Sequence, residues 1–150
     1  MFFFVPVLLY LSQNFIGHVM MTQALIPLLK KTPQLAQQHG PSRVVNISAR
    51  VGSISDNHLG GWMSYRCSKA ALNMFTKTLS LEVKRQHIYT CSLHPGTTKT
   101  DLSKPFQKNV KPDKLFSVEH SVEQMLQVIW DLDQANTGKF YAFDGKTIEW

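Results

Sequence analysis

Residues 43–84 read RVVNISARVGSISDNHLGGWMSYRCSKAALNMFTKTLSLEVK, and this stretch decides the fold. Its opening apolar run, residues 43–48, predicts a short buried strand. Residues 49–61 are rich in glycine, serine and asparagine and predict a loop. Residues 64–84 then repeat apolar side chains at helical spacing, which predicts an amphipathic helix. The apolar face of that helix consists of Ala71, Leu72, Phe75, Leu79 and Val83.

The segment upstream of this unit predicts a further helix and a loop. Apolar residues cover one face of residues 14–31, and Pro27 predicts a kink near the end of that helix. Residues 32–42 contain two prolines and a glycine and predict a loop. Residues 1–11 precede the helix as an atypical apolar leader.

The segment downstream predicts two more strands around a third helix. Residues 87–93 predict a strand that a proline–glycine turn ends. A lysine-rich loop follows, and Ser117 is the expected N-cap of the next helix. Residues 139–143 predict the last strand, with an aspartate–glycine turn after it. The expected apolar stripe of the third helix consists of Val122, Met125, Leu126, Ile129 and Trp130.

The predicted elements alternate between helix and strand along the chain. Such alternation is typical of α/β proteins, in which right-handed crossovers join parallel strands. With 150 residues, of which 43% are hydrophobic, the chain is long enough for one core. We therefore expect a single α/β domain over residues 1–150, with three adjacent parallel strands flanked by helices.

The charge and the cysteines argue against several classes of protein. The net charge is +6, and the densest basic stretch, residues 99–114, carries five lysines without a series of interleaved aromatic residues. We therefore expect no nucleic-acid partner. The six histidines and the two cysteines, Cys67 and Cys91, show no ligand spacing, so we expect no metal. Two such thiols are typical of a reduced, cytoplasmic protein.

The amino-terminal region predicts neither a secretory signal nor a membrane span. No charged residue precedes Lys30, so the basic start of a signal peptide is not present. Polar residues, among them Gln13 and His18, interrupt the run of about 20 apolar residues that a spanning helix requires. A membrane-inserted protein is therefore the weakest of the alternatives considered.

Two residues of the second predicted helix point to acid–base chemistry. Tyr65 and Lys69 are four residues apart, so their side chains project from the same face. The reference pKa of tyrosine, about 10, makes it a poor acid or base near neutral pH. An ammonium group at ~5 Å stabilises the phenolate by about 3 kcal/mol, which corresponds to a pKa roughly two units lower. The pair therefore predicts a tyrosine that exchanges a proton with an alcohol or carbonyl oxygen.

Taken together, these segments resemble the carboxy-terminal part of the short-chain dehydrogenase/reductase family. Residues 44–82 are similar to the family's active-site strand, loop and helix, residues 93–102 (LHPGTTKTDL) to its proline–glycine turn, and residues 137–145 (TGKFYAFDG) to its last strand. The longer loop, with GSISDN and a glycine pair before the tyrosine, is similar to the sniffer-like and C-factor-like carbonyl reductases. The resemblance covers nearly all of residues 12–150 and implies a partial Rossmann-like, doubly wound parallel sheet.

The resemblance also implies roles for individual residues. Tyr65 corresponds to the family's general acid/base, and Lys69 to the lysine that lowers the tyrosine pKa and binds the nicotinamide ribose. Asn14, in an N-x-x-G pattern with Gly17, matches the helix asparagine that supports a proton-relay water. The turn that approaches the nicotinamide and the pyrophosphate is matched by Pro95, Gly96 and Thr100.

The chain departs from the family pattern at the catalytic serine. In the family this residue is the second serine of an N-x-S-S run, and the matching position here is Ala49. Ser48 should point to the opposite side of an extended strand, because successive side chains alternate. Ser53, farther along the loop, is the other candidate for the hydroxyl. The residue that polarises the substrate carbonyl is therefore left open.

A second departure concerns the cofactor, NAD or NADP in the family. Neither the T-G-x-x-x-G-x-G turn, which binds the pyrophosphate through backbone N–H groups, nor the N-N-A-G segment occurs in the sequence. With β–α units of roughly 30 residues, on the order of 90 residues of the family's domain are not represented. A truncated gene model, a splice product or a diverged fragment would each account for this.

The resemblance implies an NAD(P)-dependent oxidoreductase that reduces a small-molecule carbonyl or oxidises an alcohol. Because the glycine-rich motif does not occur in the chain, we expect the 150 residues alone to be weakly active or inactive. The alternative is a non-catalytic fragment that binds a partner, either a second copy of itself or a full-length homologue. The substrate and the choice between NAD and NADP are not predicted.

Overall fold

The computed structural model of the chain describes residues 4–30 and 33–150. Its helices are α1 (Phe4–Leu11), α2 (Gly17–Leu29), α3 (Pro33–His39), α4 (Met63–Glu82) and α5 (Val118–Trp130). Its strands are β1 (Ser42–Ile47), β2 (Ile88–His94), β3 (Thr97–Thr98), β4 (Leu115–Phe116) and β5 (Lys139–Ala142). A π-helical turn, Ser12–Ile16, joins α1 to α2. Short 3-10 turns lie at Arg50–Gly52, Lys84–Gln86, Lys104–Asn109 and Pro112–Lys114.

Three parallel strands form the main sheet, in the order β1, β2, β5. Ile47 of β1 is in register with Leu93 of β2, and His94 of β2 with Ala142 of β5. The strand bounds differ from the predicted ones by one residue, and the predicted α/β class with a parallel sheet is confirmed. The strands β3 and β4 pair in parallel as a separate two-stranded sheet, which the sequence did not predict.

Helices cover both faces of the main sheet. On one face, Leu79 of α4 and Val83, the residue after it, pack with Ile88 of β2, and α2 contributes Ile26 and Leu29. On the other face, Met125, Val128 and Ile129 of α5 pack against the cluster formed by Cys91, Leu93, Leu132 and Tyr141. The central strand β2 thus sends alternate residues to opposite helical layers, whereas Phe140 and Ala142 of β5 pack against Ile148 and Trp150.

The contact between α4 and the sheet also contains a polar seam. Asn46 donates to Thr76 Oγ1 at 2.9 Å, and Ser48 donates to Asn73 Oδ1 at 2.7 Å. Thr90 of β2 donates to the Thr76 carbonyl at 3.2 Å. Buried polar groups cost free energy when they lack partners, so these bonds favour one axial position and one rotation of α4 relative to the sheet.

Two predictions near the amino terminus are wrong. The predicted helix start at residue 14 is too late, because the chain is helical from Phe4 and continues without a break through the π-helical turn into α2. The predicted loop at residues 32–42 contains a helix, Pro33–His39, since proline is well tolerated in a first helical turn. Residues 1–3, and the predicted helix end at Lys31 with Thr32 after it, lie outside the described residues.

The predicted apolar stripe of α5 is wrong in part. Met125 and Ile129 do face the core, but Val122, Leu126 and Trp130 are exposed. The exposed residues are spaced by four, so they occupy one ridge beside the buried one. The expected cap is confirmed, because the Ser117 side chain accepts from the His120 N–H at 3.1 Å.

The two edges of the main sheet differ. Residues 146–148 turn back along β5, where Ala142 N–H donates to the Lys146 carbonyl at 2.8 Å and Ile148 N–H donates to the Phe140 carbonyl at 2.8 Å. In the described ranges, no strand pairs with β1 on the side away from β2. Ser42 and Ser48 donate their N–H groups toward β2, so by alternation residues 43, 45 and 47 turn theirs to the open edge. Open edges of this kind favour pairing with other chains.

No helix in the part of the chain that the structure describes is long and apolar enough to cross a membrane.

The open edge predicts opposite outcomes for two neighbouring proline substitutions. Val45→Pro removes an N–H from the open edge, so we expect the chain to stay folded and to self-associate less. Val44→Pro removes an N–H that bonds β2, so we expect this variant to be less stable than Val45→Pro by about 1–3 kcal/mol in free energy of unfolding. Sedimentation velocity and circular dichroism compare the two. Unchanged self-association of V45P, or equal unfolding of both variants, contradicts the edge assignment.

Candidate active site

The candidate site lies where β1 ends and the first turns of α4 begin. Tyr65 and Lys69 occupy one face of α4, and Lys69 Nζ lies 5.8 Å from the centroid of the Tyr65 ring. The side chain of Lys69 reaches the end of β1, where its ammonium donates to the Ile47 carbonyl at 2.9 Å. The predicted pair is therefore brought together beside the carboxyl end of a parallel strand, the usual place for a site in such sheets.

Lys69 is a buried cation without an acidic partner. It is 6% exposed, and no carboxylate within residues 4–30 and 33–150 lies at ion-pair distance from it. Burial lowers its pKa from the ordinary value of 10.5. An unpaired buried charge costs folding free energy, so its presence points to a functional role.

Tyr65 behaves differently from the expectation based on spacing. Its pKa is raised above 10.0, first because burial disfavours the phenolate and second because Tyr10 lies beside it. The two tyrosine rings are 5.8 Å apart. The Lys69 ammonium donates to the Ile47 carbonyl at 2.9 Å and lies 5.8 Å from the centroid of the Tyr65 ring. In this structure Tyr65 is therefore a protonated phenol at neutral pH.

Asn14 lies in the π-helical turn between α1 and α2. Its side-chain amide donates to Ser68 Oγ at 3.4 Å, and Ser68 Oγ donates to the Tyr65 carbonyl at 2.8 Å. The Gly17 N–H bonds the Ser12 carbonyl, five residues back, which defines the π turn. Such turns are frequent at functional sites. The structure thus places Asn14 against the helix turn that carries Tyr65.

Neither candidate serine presents a free hydroxyl. Ser48 is 3% exposed and donates to Asn73 Oδ1 at 2.7 Å. Ser53 is 2% exposed, donates to the Glu149 carbonyl at 2.6 Å and accepts from the Asp56 N–H at 3.0 Å. The Ser48 hydroxyl thus connects the end of β1 to α4, and the Ser53 hydroxyl connects its loop to residue 149. The position that matches the family's serine, Ala49, supplies no hydroxyl, so the polarising group stays unassigned.

The proline–glycine turn has a packing role that the sequence did not predict. Gly96 has a φ of 74°, and a Cβ there would lie 3.0 Å from the Phe116 ring and 3.1 Å from the Phe143 ring. The Pro95 carbonyl accepts from Ser121 Oγ at 2.7 Å, which ties the turn to α5. Thr100 lies farther along and is exposed, with its N–H bonded to Ser103 Oγ at 3.2 Å.

Two side chains near the site were not predicted. Arg66 donates to the Val51 carbonyl at 3.1 Å, the Gly60 carbonyl at 3.0 Å and the Gly61 carbonyl at 2.9 Å, and so holds the loop before α4. His94, at the end of β2, has its pKa lowered to about 4, chiefly by burial. The glycine pair before Tyr65 predicts a turn, but no feature of the sequence indicates that the Arg66 side chain bonds the carbonyls of this turn.

Comparison with known proteins gives the family. A family model described as short chain dehydrogenase matches residues 9–111, more than half of the chain. The chain belongs to the short-chain dehydrogenase family. The chain is 34% identical over 137 residues to the C-signal protein of Myxococcus xanthus, covering 91% of the chain and 74% of that protein. It is also 35% identical over 147 residues to an uncharacterised oxidoreductase of Schizosaccharomyces pombe.

Solved structures support the sniffer-like, carbonyl reductase branch of the family. The NADPH-bound carbonyl reductase from chicken fatty liver is 35% identical, with a TM-score of 0.85 over 99% of the chain. The carbonyl reductase Sniffer of D. melanogaster is 33% identical, with a TM-score of 0.88 over 99% of the chain. The sniffer-like resemblance predicted from the sequence is confirmed.

The chain spans only part of most of these relatives. It covers 59% of each of the two carbonyl reductase structures and 54% of the Schizosaccharomyces pombe protein. What those proteins bind or reduce is therefore a property of longer molecules.

The burial of Lys69 predicts the effect of removing its charge. Because the pKa of Lys69 is lower in the folded chain, the folded state releases its proton first as the pH rises, and the wild type gains stability up to about pH 10.5. We expect Lys69→Met to be more stable by about 1 kcal/mol at pH 7, with the advantage shrinking toward pH 10.

Urea unfolding at both pH values measures this difference. Lys77→Met, at an exposed position of the same helix, is the matched control and should leave stability unchanged at either pH. A Lys69→Met variant less stable than the wild type at pH 7 would show that the buried ammonium contributes net stability.

Proposed function

We propose that this chain supplies the proton-transfer and nicotinamide-ribose half of an NAD(P)-dependent reductase site. The reaction is reduction of a carbonyl or, in reverse, oxidation of an alcohol. One observation carries the proposal: Lys69, a buried cation without an acidic partner, lies one helical turn from Tyr65 at the end of β1. Family membership supports it, since the family model is that of a short chain dehydrogenase.

In this proposal Tyr65 transfers the proton and Lys69 binds the ribose. The nicotinamide, when bound, exchanges a hydride with the substrate carbon. Among the described residues, no protein group hydrogen-bonds the Tyr65 hydroxyl, which suits contact with a substrate oxygen. Lys69 has three N–H donors and uses one on the Ile47 carbonyl, which leaves two for ribose hydroxyls. Asn14 supports the turn of α4 between them through Ser68.

The raised pKa of Tyr65 matches the protonation state that carbonyl reduction uses. A phenol that keeps its proton at neutral pH is ready to donate it to a carbonyl oxygen as that oxygen gains negative charge. The reverse reaction, alcohol oxidation, uses the phenolate form of the same side chain.

The residues present fit one end of the cofactor. Lys69 and Tyr65 suit the nicotinamide ribose, and Pro95, Gly96 and Thr100 are the proposed approach to the nicotinamide and pyrophosphate. The sequence does not contain the glycine-rich turn that would bind the pyrophosphate. We infer that the cofactor, NAD or NADP, is held only when such a turn is supplied.

The surroundings of Tyr65 suggest a small-molecule substrate with an apolar body. Trp62, three residues before Tyr65, packs against Phe106 with ring centroids 5.5 Å apart, and this pair joins the loops on either side of the site. Leu59 and Leu102 on the same two loops are exposed. Such side chains favour an apolar carbonyl compound over a charged one.

A second candidate function is that of a non-catalytic partner subunit. The open edge of β1 favours it, because backbone groups there could pair with a second copy or with a full-length homologue. Exposed apolar residues on α2, among them Met20, Met21 and Leu28, would add to such a contact. We place either form in the cytoplasm, since Cys67 and Cys91 are both free thiols.

Steady-state turnover separates these functions. We expect the 150-residue chain to oxidise NADH or NADPH negligibly with apolar ketones. Joined to the amino-terminal cofactor-binding segment of the similar chicken carbonyl reductase, it should turn over measurably. Because no residue is assigned to polarise the carbonyl, the rate should lie about 10²–10³-fold below an ordinary rate of ~10 s⁻¹. Tyr65→Phe in the joined protein should reduce kcat by about 10²–10⁴-fold.

Tyr89→Phe is the matched control, since Tyr89 is half-buried on the face of β2 that packs against α5. It should leave kcat within a few-fold of the parent. Full activity of Y65F would contradict the role of Tyr65. Ordinary turnover by the 150-residue chain alone would contradict the need for a glycine-rich turn.

A further inference from the structure

Residues 148–150, the latch segment, are anchored on β5. Ile148 is 3% exposed, and its N–H donates to the Phe140 carbonyl at 2.8 Å. The Trp150 ring stacks on the Phe140 ring with centroids 5.7 Å apart and planes at 20°. Three contacts of different kinds thus hold the latch segment to the edge of the main sheet.

From this anchor the latch segment reaches the loop that follows β1. The Trp150 backbone oxygen accepts from both the Ser55 N–H, at 3.0 Å, and Ser55 Oγ, at 2.8 Å. The Glu149 carbonyl accepts from Ser53 Oγ at 2.6 Å. The loop after the first strand of the sheet is therefore bonded to a segment that rests on the third.

The loop crosses the end of the middle strand on its way. Arg50 and Asp56 are close enough to His94, the last residue of β2, to act on its pKa. These two residues form an exposed ion pair at 3.3 Å, which contributes little stability. The loop thus spans the carboxyl end of the sheet from β1 toward β5.

Few other contacts hold the middle of this loop in place. Its start is fixed, because Gly52 is buried and its carbonyl accepts from Asn73 Nδ2 at 3.3 Å. Ile54 is 79% exposed and Leu59 is 94% exposed, so apolar burial does not fix the residues between them. Arg66 binds the loop on either side, through the carbonyls of Val51, Gly60 and Gly61. Among the described residues, the bonds from residues 53–59 to the rest of the domain are those of the latch segment. Loops with so little burial are typically the first parts of a domain to open.

The geometry points to the latch segment as a positioning element of the candidate active site. It fixes the loop that leads through Trp62 to Tyr65, and with it the side of Tyr65 where the substrate binds. The effect of the latch segment on substrate binding rests on the proposed function, whereas its effect on the position of the loop is independent of that function. Ser53, a sequence candidate for the catalytic hydroxyl, and Ser55 form the loop's half of the latch.

Hydrogen exchange tests the latch directly in the 150-residue chain. In a Ser53→Ala/Ser55→Ala variant the amides of residues 55–57 should exchange about tenfold faster, the factor expected when a typical net hydrogen bond is lost. Amides of β2 and of residues 70–80 in α4 should not change. Trp150→Ala, which removes the stack on Phe140, should speed exchange at residue 55 similarly, and Trp150→Phe, which keeps a ring, should restore it.

Glu149→Ala is the matched control, because the Glu149 side chain is exposed and only its backbone carbonyl bonds the loop. Its exchange pattern should match that of the wild type. Unchanged exchange at residues 55–57 in the double serine variant overturns the latch, and so does uniform acceleration through β2 and α4, because that would show global destabilisation. Failure of Trp150→Phe to restore protection overturns the role of the ring stack.

The joined protein described above tests the link to substrate. There, Trp150→Ala should raise KM for an apolar ketone several-fold and leave kcat and its pH profile unchanged, with Trp150→Phe restoring KM. An unchanged KM with faster loop exchange overturns the positioning role. Absence of turnover in the parent joined protein contradicts the proposed function instead, and the exchange pattern then decides the latch alone.

Discussion

A single bond between a buried ammonium and a strand carbonyl organises this molecule. Lys69 Nζ donates to the Ile47 carbonyl at 2.9 Å, and so joins α4 to the end of β1. Ile47 turns its carbonyl away from β2, so the bond also satisfies one group of the otherwise open edge. The cost is a buried positive charge that no carboxylate in the described residues balances. A neutral side chain would satisfy packing at lower cost, which is why we read Lys69 as a residue kept for chemistry.

The polar seam beneath α4 places that ammonium. Asn46, Ser48 and Thr90 each bond a polar group of the helix, and together they fix its register on the sheet. With α4 fixed, Tyr65 and Lys69 have one position relative to β1. The π-helical turn at Asn14 and the loop held by Arg66 and the latch segment then surround Tyr65 from two sides. The site is thus assembled around one helix.

Periodicity and turn residues in the sequence were enough to predict the main sheet, α4 and the cap of α5, and the family was predicted from the resemblance of residues 44–82, 93–102 and 137–145 to its motifs. They were not enough for residues 4–11, where apolar side chains on all sides carry no helical period, or for Pro33–His39, which is too short to show one. The latch bonds use backbone oxygens, which any residue has, so no side-chain pattern could predict them. The raised pKa of Tyr65 depends on burial and on Tyr10, which only the fold brings near.

We propose that the chain alone binds the nicotinamide-ribose end of the cofactor weakly and does not bind the adenosine end, whereas tight binding of the whole cofactor needs the glycine-rich turn. The most direct measurement is an NMR titration of the chain labelled at lysine and tyrosine, with reduced nicotinamide mononucleotide in one arm and adenosine diphosphate in the other. We predict saturable shifts of the Lys69 and Tyr65 signals with the mononucleotide, at millimolar concentration, and no saturable shift with adenosine diphosphate. Shifts with adenosine diphosphate alone, or none at Lys69 and Tyr65 with the mononucleotide, would contradict the claim.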